Sequence, residues 1–335
     1  MLEGTACARF DDIAPLSASS FADWYNYDYS PTNGTSCGAP IRLAGQQIRA
    51  SMMRLSWRLC TFAIALVFGI SGVMAQQIKP VGKIIGRDGQ GYAIRQVHAN
   101  GIDIGYKLVG SGTPLVMIMG LGGTAEDWPK QIVAALAKKY QLILLDNRGM
   151  GHTTANDTTF TYKLFADDVI GLLDALGVKK TDVLGYSMGS TITQELLLTY
   201  PQRFGKAIIH ATSTDGSNVA AVFKNRTVDN PIVARQIEAT THWKTPMNRI
   251  SGVTNQVMFV VGTADTVVYP ESSKVLSAAV PGAWLVQFKN ATHGLMYEAP
   301  TEFARVVLTF LGTDETVKAT KPAPMLPKAG DGKTP

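Results

Sequence analysis

Three short stretches of this 335-residue sequence are apolar at nearly every position: PLVMIM at 114–119, YQLILL at 140–145 and VMFVV at 257–261. A strand with one face in water alternates apolar and polar residues. A run that is apolar throughout needs cover on both faces, as in a parallel sheet flanked by helices. Between the runs, apolar residues recur at helical spacing. One such segment spans Phe165–Leu176 and is closed by Gly177, another follows Ser187 and stops at Tyr200 before Pro201, and a third covers Thr301–Leu311. Asp127-Trp128-Pro129 reads as a further helix start, with the aspartate as cap and the proline in the first turn. Lys206–His210 and Trp284–Phe288 add short strands, Asp182–Leu184 leads into a turn at Gly185–Gly189, and Ile102–Val109 alternates like a strand at a sheet edge. The alternation predicts an α/β fold with a mostly parallel central sheet and helices on both faces.

Residues 212–252 break this rhythm. They hold helical fragments near Asn218–Phe223 and from Pro231 towards Trp243, without a strong strand, and read as a short cap inserted after the strand that ends at His210. The segment 313–335 is rich in proline, lysine and glycine, has no apolar period, and reads as a flexible tail.

The N-terminal quarter is of another kind. Arg54 and Arg58 precede an uncharged stretch from Leu59 to Ala75, and Val73 and Ala75 stand at −3 and −1 of a small-residue cleavage site. Residues 52–75 therefore read as a signal peptide, with Gln76 as the new N-terminus and the folded domain at 76–312. The apolar core is short and interrupted by Gly69 and Gly72, which disfavours a stable membrane span. Residues 1–51 lack a clear period and read as an extension upstream of a true start at Met52 or Met53. The expected location is the periplasm or the medium. Cys7, Cys37 and Cys60 all precede the cleavage point, so the processed chain offers no disulfide, thiol nucleophile or thiolate ligand.

Gly185-Tyr186-Ser187-Met188-Gly189 stands where a strand gives way to a helix. A sharp turn there forces the apex residue into a strained backbone and thrusts its side chain above the sheet. Neighbours two places away come too close for a Cβ. A serine nucleophile also needs a base, and the base needs an acid that fixes its tautomer. Downstream, Asp265 follows the strand VMFVV and His293 follows the strand ending at Phe288. Loops that follow parallel strands gather at one sheet edge, so Ser187, Asp265 and His293 are expected to meet there. Asp215, after the strand ending at His210, is the rival acid.

The segments MGLGGTAEDW, LDNRGMGHT, LGYSMGS, VGTADTVVYP and ATHGLMYEAP carry a resemblance in order and spacing. From about Gln96 to Leu311 the chain resembles the α/β-hydrolase fold superfamily, in its esterase- and lipase-like serine branch. The resemblance implies Ser187 as nucleophile, His293 as general base, Asp265 as its orienting acid, and the backbone N–H groups of Leu121 and Met188 as the oxyanion hole. It implies hydrolysis of a small acyl ester through an acyl-enzyme. Lactonase, C–C hydrolase and perhydrolase chemistry on the same triad, and a non-catalytic binding homologue, stand as alternatives. Two positions depart from the pattern. Met119 stands where many relatives have a histidine that supports the oxyanion loop, and Ser190 stands where they have a third glycine.

Other functions find less support. A net charge of +5 is spread along the chain without a basic run, which disfavours a nucleic-acid partner. Gly120-Leu-Gly-Gly-Thr-Ala125 followed by Asp146 fits a dinucleotide fingerprint, but Pro129 would sit inside the helix that such a site requires. No metal or cofactor is expected, since the processed chain has neither H-E-x-x-H nor a tight His/Asp cluster. His98 and His152 read as surface residues, His210 as a hydrogen-bonded core residue, and His242 as solvated or at the cleft mouth. In the cap, Trp243 and Met247 are the candidates for substrate contact. Two short helices make a small roof, so a partly open, apolar-walled cleft for short or medium acyl chains is expected.

Overall fold

The computed structural model describes residues 77–224 and 227–315. The upstream extension at 1–51, the signal peptide at 52–75 and the tail beyond residue 315 lie outside the described residues.

The chain builds nine strands: β1 (Lys83–Arg87), β2 (Ala93–Ala99), β3 (Ile102–Val109), β4 (Thr113–Ile118), β5 (Tyr140–Leu145), β6 (Thr181–Tyr186), β7 (Phe204–His210), β8 (Gln256–Gly262) and β9 (Trp284–Phe288). They form one sheet in the order β1-β2-β3-β5-β4-β6-β7-β8-β9. β1, β2, β3 and β5 pair antiparallel in turn, and from β5 through β9 every pairing is parallel. The apolar runs occupy β4, β5 and β8, where nearly every residue is buried. The expectation of an edge strand at Ile102–Val109 is corrected. β3 pairs with β2 on one side and β5 on the other. Its alternation reflects two unequal faces, since Ile104 and Tyr106 are fully buried while Asp103 and Lys107 pair with polar groups.

Helices cover both faces. On one side lie α2 (Tyr162–Ala175), α3 (Met188–Thr199) and α7 (Pro270–Ala279), which join the cluster containing Val116, Ile143, Val183 and Phe259. On the other lie α1 (Lys130–Leu136) and α9 (Pro300–Gly312), packed on Met117, Leu144, Leu184 and Met258. Ile192, Leu196 and Leu197 anchor α3, each about 1.5–3 kcal/mol by burial alone.

The predicted start at Asp127 is also corrected. Thr124 caps a 3₁₀ turn at Ala125–Asp127, and Asp127 bonds back to the Thr124 N–H at 2.7 Å. α1 begins only at Lys130, after Pro129. A reciprocal capping box outcompetes the single aspartate cap because it satisfies donors at both of its ends.

The strand order turns at β4, with β5 on one side and β6 on the other. In open parallel sheets the loops leaving such strands splay apart and form a crevice at the carboxyl edge. The insertion forms three helices, α4 (Ser217–Phe223), α5 (Pro231–Thr241) and α6 (Met247–Ile250), of which α4 and α5 supply cleft residues. Asn230 caps α5 through the N–H groups of Ile232 and Val233. Phe223, Ile232, Ile237 and Trp243 pack down on the core.

Candidate active site

Ser187 sits between β6 and α3 with φ 53° and ψ −117°. Such a conformation costs a residue with a Cβ roughly 1–3 kcal/mol. The two flanking glycines have a steric reason. A Cβ on Gly185 would stand 2.2 Å from the Gly189 carbonyl oxygen, and one on Gly189 would stand 2.1 Å from that of Ile118. Ser190, in place of a third glycine, fits fully buried with its hydroxyl donating to the Ser187 carbonyl at 2.5 Å.

His293 Nε2 lies 2.9 Å from Ser187 Oγ, and His293 Nδ1 lies 2.8 Å from Asp265 Oδ2. His293 and Asp265 are both buried. An ionised carboxylate can only accept, so Nδ1 carries the proton and Nε2 is left to accept from the serine hydroxyl. The second oxygen of Asp265 accepts the N–H groups of Val267 and Val268 at 2.9 and 3.0 Å. Asp215 is elsewhere: it accepts the Ser217 N–H at 2.8 Å and pairs with Lys244 at 3.1 Å.

The loop after β4 closes over the serine. A Cβ on Gly120 would lie 3.1 Å from Ser187 Cβ. Leu121 and Met188 border the same cleft as Ser187. Among the described residues, neither of their N–H groups meets an acceptor. The loop is braced from β5: Asn147 Nδ2 donates to the Met119 carbonyl at 2.9 Å, and Asp146 accepts the Ala125 N–H at 2.7 Å. The buried Arg148–Asp168 pair, with contacts at 2.8 and 2.5 Å, fixes the next residue of that segment.

The cleft encloses about 330 Å³ including its open mouth. Leu121, Met188, Val219, Trp243 and Val268 give it apolar surface, and the hydroxyls of Tyr162, Thr191, Ser213 and Thr240 interrupt that surface. The expected apolar wall is therefore mixed. The hydroxyls are ordered. Thr240 donates to the Gln236 carbonyl at 2.7 Å, so Tyr162, 3.0 Å away, must donate to Thr240. Burial raises the Tyr162 phenol above its ordinary range, and the group remains a donor at any working pH. Sequence reasoning missed these residues because isolated hydroxyls on three different helices and one loop form no motif.

Trp243 lines the cleft. Met247 does not: it starts α6, is exposed, and is absent from the cleft wall. His242 is exposed too, its Nδ1 2.8 Å from the Glu238 carbonyl. His98 and His152 lie at the surface near Asp103 and Asp146. His210 is fully buried, with Nδ1 3.1 Å from the Val260 carbonyl and its ring stacked on Tyr186. Its Nε2 has no partner among the described residues, so the expected core histidine is only half satisfied there. The dinucleotide alternative loses its donor, since Gly122 N–H is taken by Gln236 of the cap at 2.8 Å.

Residues 113–227 match the family model described as the alpha/beta hydrolase fold. Over 112 residues, 33% of this chain and 42% of the relative, the sequence is 38% identical to the putative non-heme bromoperoxidase BpoC of Mycobacterium tuberculosis. Over 106 residues, 32% of this chain and 40% of the relative, it is 37% identical to the putative carbamate hydrolase RutD of Azorhizobium caulinodans. The chain thus spans less than half the length of these curated relatives. The solved structure of an alpha/beta hydrolase fold protein from Chitinophaga pinensis superposes with a TM-score of 0.60, at 24% identity, over 66% of this chain and 98% of that one. Strand order, helix layers and the matched segment agree: the chain adopts the α/β-hydrolase fold.

Proposed function

We propose that the protein is an exported serine hydrolase that cleaves carboxylic esters of short or medium acyl length. The hydrogen-bonded chain Ser187–His293–Asp265, at 2.9 and 2.8 Å, carries this reading. Ser187 Oγ attacks the acyl carbonyl while its proton passes to His293 Nε2. Asp265 holds the ring in the required tautomer and stabilises the imidazolium. The Leu121 and Met188 amides receive the charge that develops on the carbonyl oxygen, and both are open to accept that role. His293 then gives its proton to the leaving alcohol. Water, activated by the same histidine, releases the acid from the acyl-enzyme.

The small cleft and short cap support a modest acyl group. The basic residues Arg54 and Arg58, the apolar stretch to Ala75 and the small residues at Val73 and Ala75 support export. A p-nitrophenyl ester series from about two to sixteen carbons, run above and below micelle formation, tests the substrate class. Highest kcat/KM at short or medium chains, without activation by micelles, is expected. A preference for the longest chains that appears only with micelles overturns it.

A further inference from the structure

Gln236 stands at the middle of α5 and is fully buried. Its Oε1 accepts the Gly122 N–H at 2.8 Å, while its Nε2 has no partner among the described residues. The amide cannot be turned the other way, because two N–H groups would then face each other. A buried donor without an acceptor costs about 1–3 kcal/mol, which a methionine or leucine of similar size at this position avoids. What the glutamine provides in return is a single acceptor for one loop amide.

That amide lies in a defined turn. Gly123 N–H donates to the Gly120 carbonyl at 3.2 Å, and Gly122 has φ 73°. A four-residue turn with its third residue left-handed is type II, and it differs from type I by a flip of the central peptide. The central peptide here joins Leu121 to Gly122. Its N–H is the group that Gln236 holds, so Gln236 selects one of the two orientations. Leu121 is the other residue inside the turn. Its ψ is set by that peptide, and its own N–H is the open donor beside Ser187. Asn147 fixes the start of the loop and Asp146 its end, and only Gln236 among the described residues bonds to the central peptide.

We propose that Gln236 is a positioning residue for the oxyanion hole. By holding the Gly122 N–H from the cap it fixes the turn that presents the neighbouring Leu121 N–H, in a chain where Met119 stands at the start of this loop. The inference rests on the proposed serine-hydrolase reading. It also makes the cap part of the catalytic geometry rather than a shade over the cleft.

Gln236→Met tests it, because this variant keeps the shape and removes both the acceptor and the orphaned donor. The expected result is a loss of kcat of about ten- to a hundredfold, with KM within threefold and the acid limb of the pH–rate profile unmoved. The melting temperature should stay within a few degrees, since losing the loop bond is offset by removing the orphan. The rate of phosphonylation of Ser187 by a fluorophosphonate should fall with kcat. A folded variant with kcat and phosphonylation within twofold of wild type overturns the proposal. In the wild-type protein, exchange of the Gly122 amide at the rate of an open loop also overturns it, whether or not the variant folds. If wild type reacts with the fluorophosphonate but turns over no ester, the substrate reading fails alone, and the phosphonylation rates still decide the role of Gln236.

Discussion

Asp265 Oδ2 lies 2.8 Å from His293 Nδ1, whereas Asp215, the other acid that follows a neighbouring strand, is paired with Lys244 at 3.1 Å. Asp265→Asn should therefore lower kcat by about 10⁴, because the amide favours the wrong tautomer of the base. Asp215→Asn should stay within about threefold of wild type, as expected of a partly exposed ion pair at the surface. Steady-state kinetics of the two purified variants checks the ranking, and the reverse order would move the acid to the earlier strand.

Much of this site could be read from residue order alone. Ser187, Asp265 and His293 each follow an apolar run, and such runs become parallel strands of one sheet whose exits share an edge. The parts that escaped are those without a local signature. β1 (KIIGR) and β2 (AIRQVHA) mix charged and polar residues with apolar ones, so neither forms an apolar run and β3 looked like the edge. Met247 looked available for substrate because it is near Trp243 in sequence, yet α6 carries it away from the cleft. Gln236 is one polar residue on a cap helix. Its meaning depends on Gly122, 114 residues earlier.

The burial of His210 predicts a pH dependence of stability. Removal from water lowers its pKa from 6.5 to about 4, assisted by the nearby His293, while the Val260 carbonyl and the Asp265 charge oppose the shift. The unfolded chain thus takes up this proton near pH 6.5 and the folded chain only near 4. Between these values the unfolded state binds more protons, so this contribution is complete above pH 6.5 and is lost as pH falls towards 4. The shift corresponds to about 3 kcal/mol at most. Denaturant unfolding from pH 7 to 4 should show a smaller acid loss for His210→Leu than for wild type. Equal slopes would mean that His210 titrates normally.

The predicted cleavage after Ala75 makes a separate claim about location. In a bacterial host with an intact export pathway, the protein should be recovered from the periplasm or medium with Gln76 as its first residue. Edman sequencing or intact mass reads this directly. Soluble cytosolic protein that retains Met1 would contradict export.

The catalytic reading depends most on whether the Ser187 hydroxyl is activated. A fluorophosphonate probe reacts with such a serine, and peptide mass spectrometry reports the labelled residue. Labelling of folded wild-type protein should be confined to Ser187, vanish in Ser187→Ala, and slow by several orders of magnitude in His293→Ala. Folded wild-type protein that takes up no label, or takes it at another residue, would contradict the assignment of Ser187 as the nucleophile.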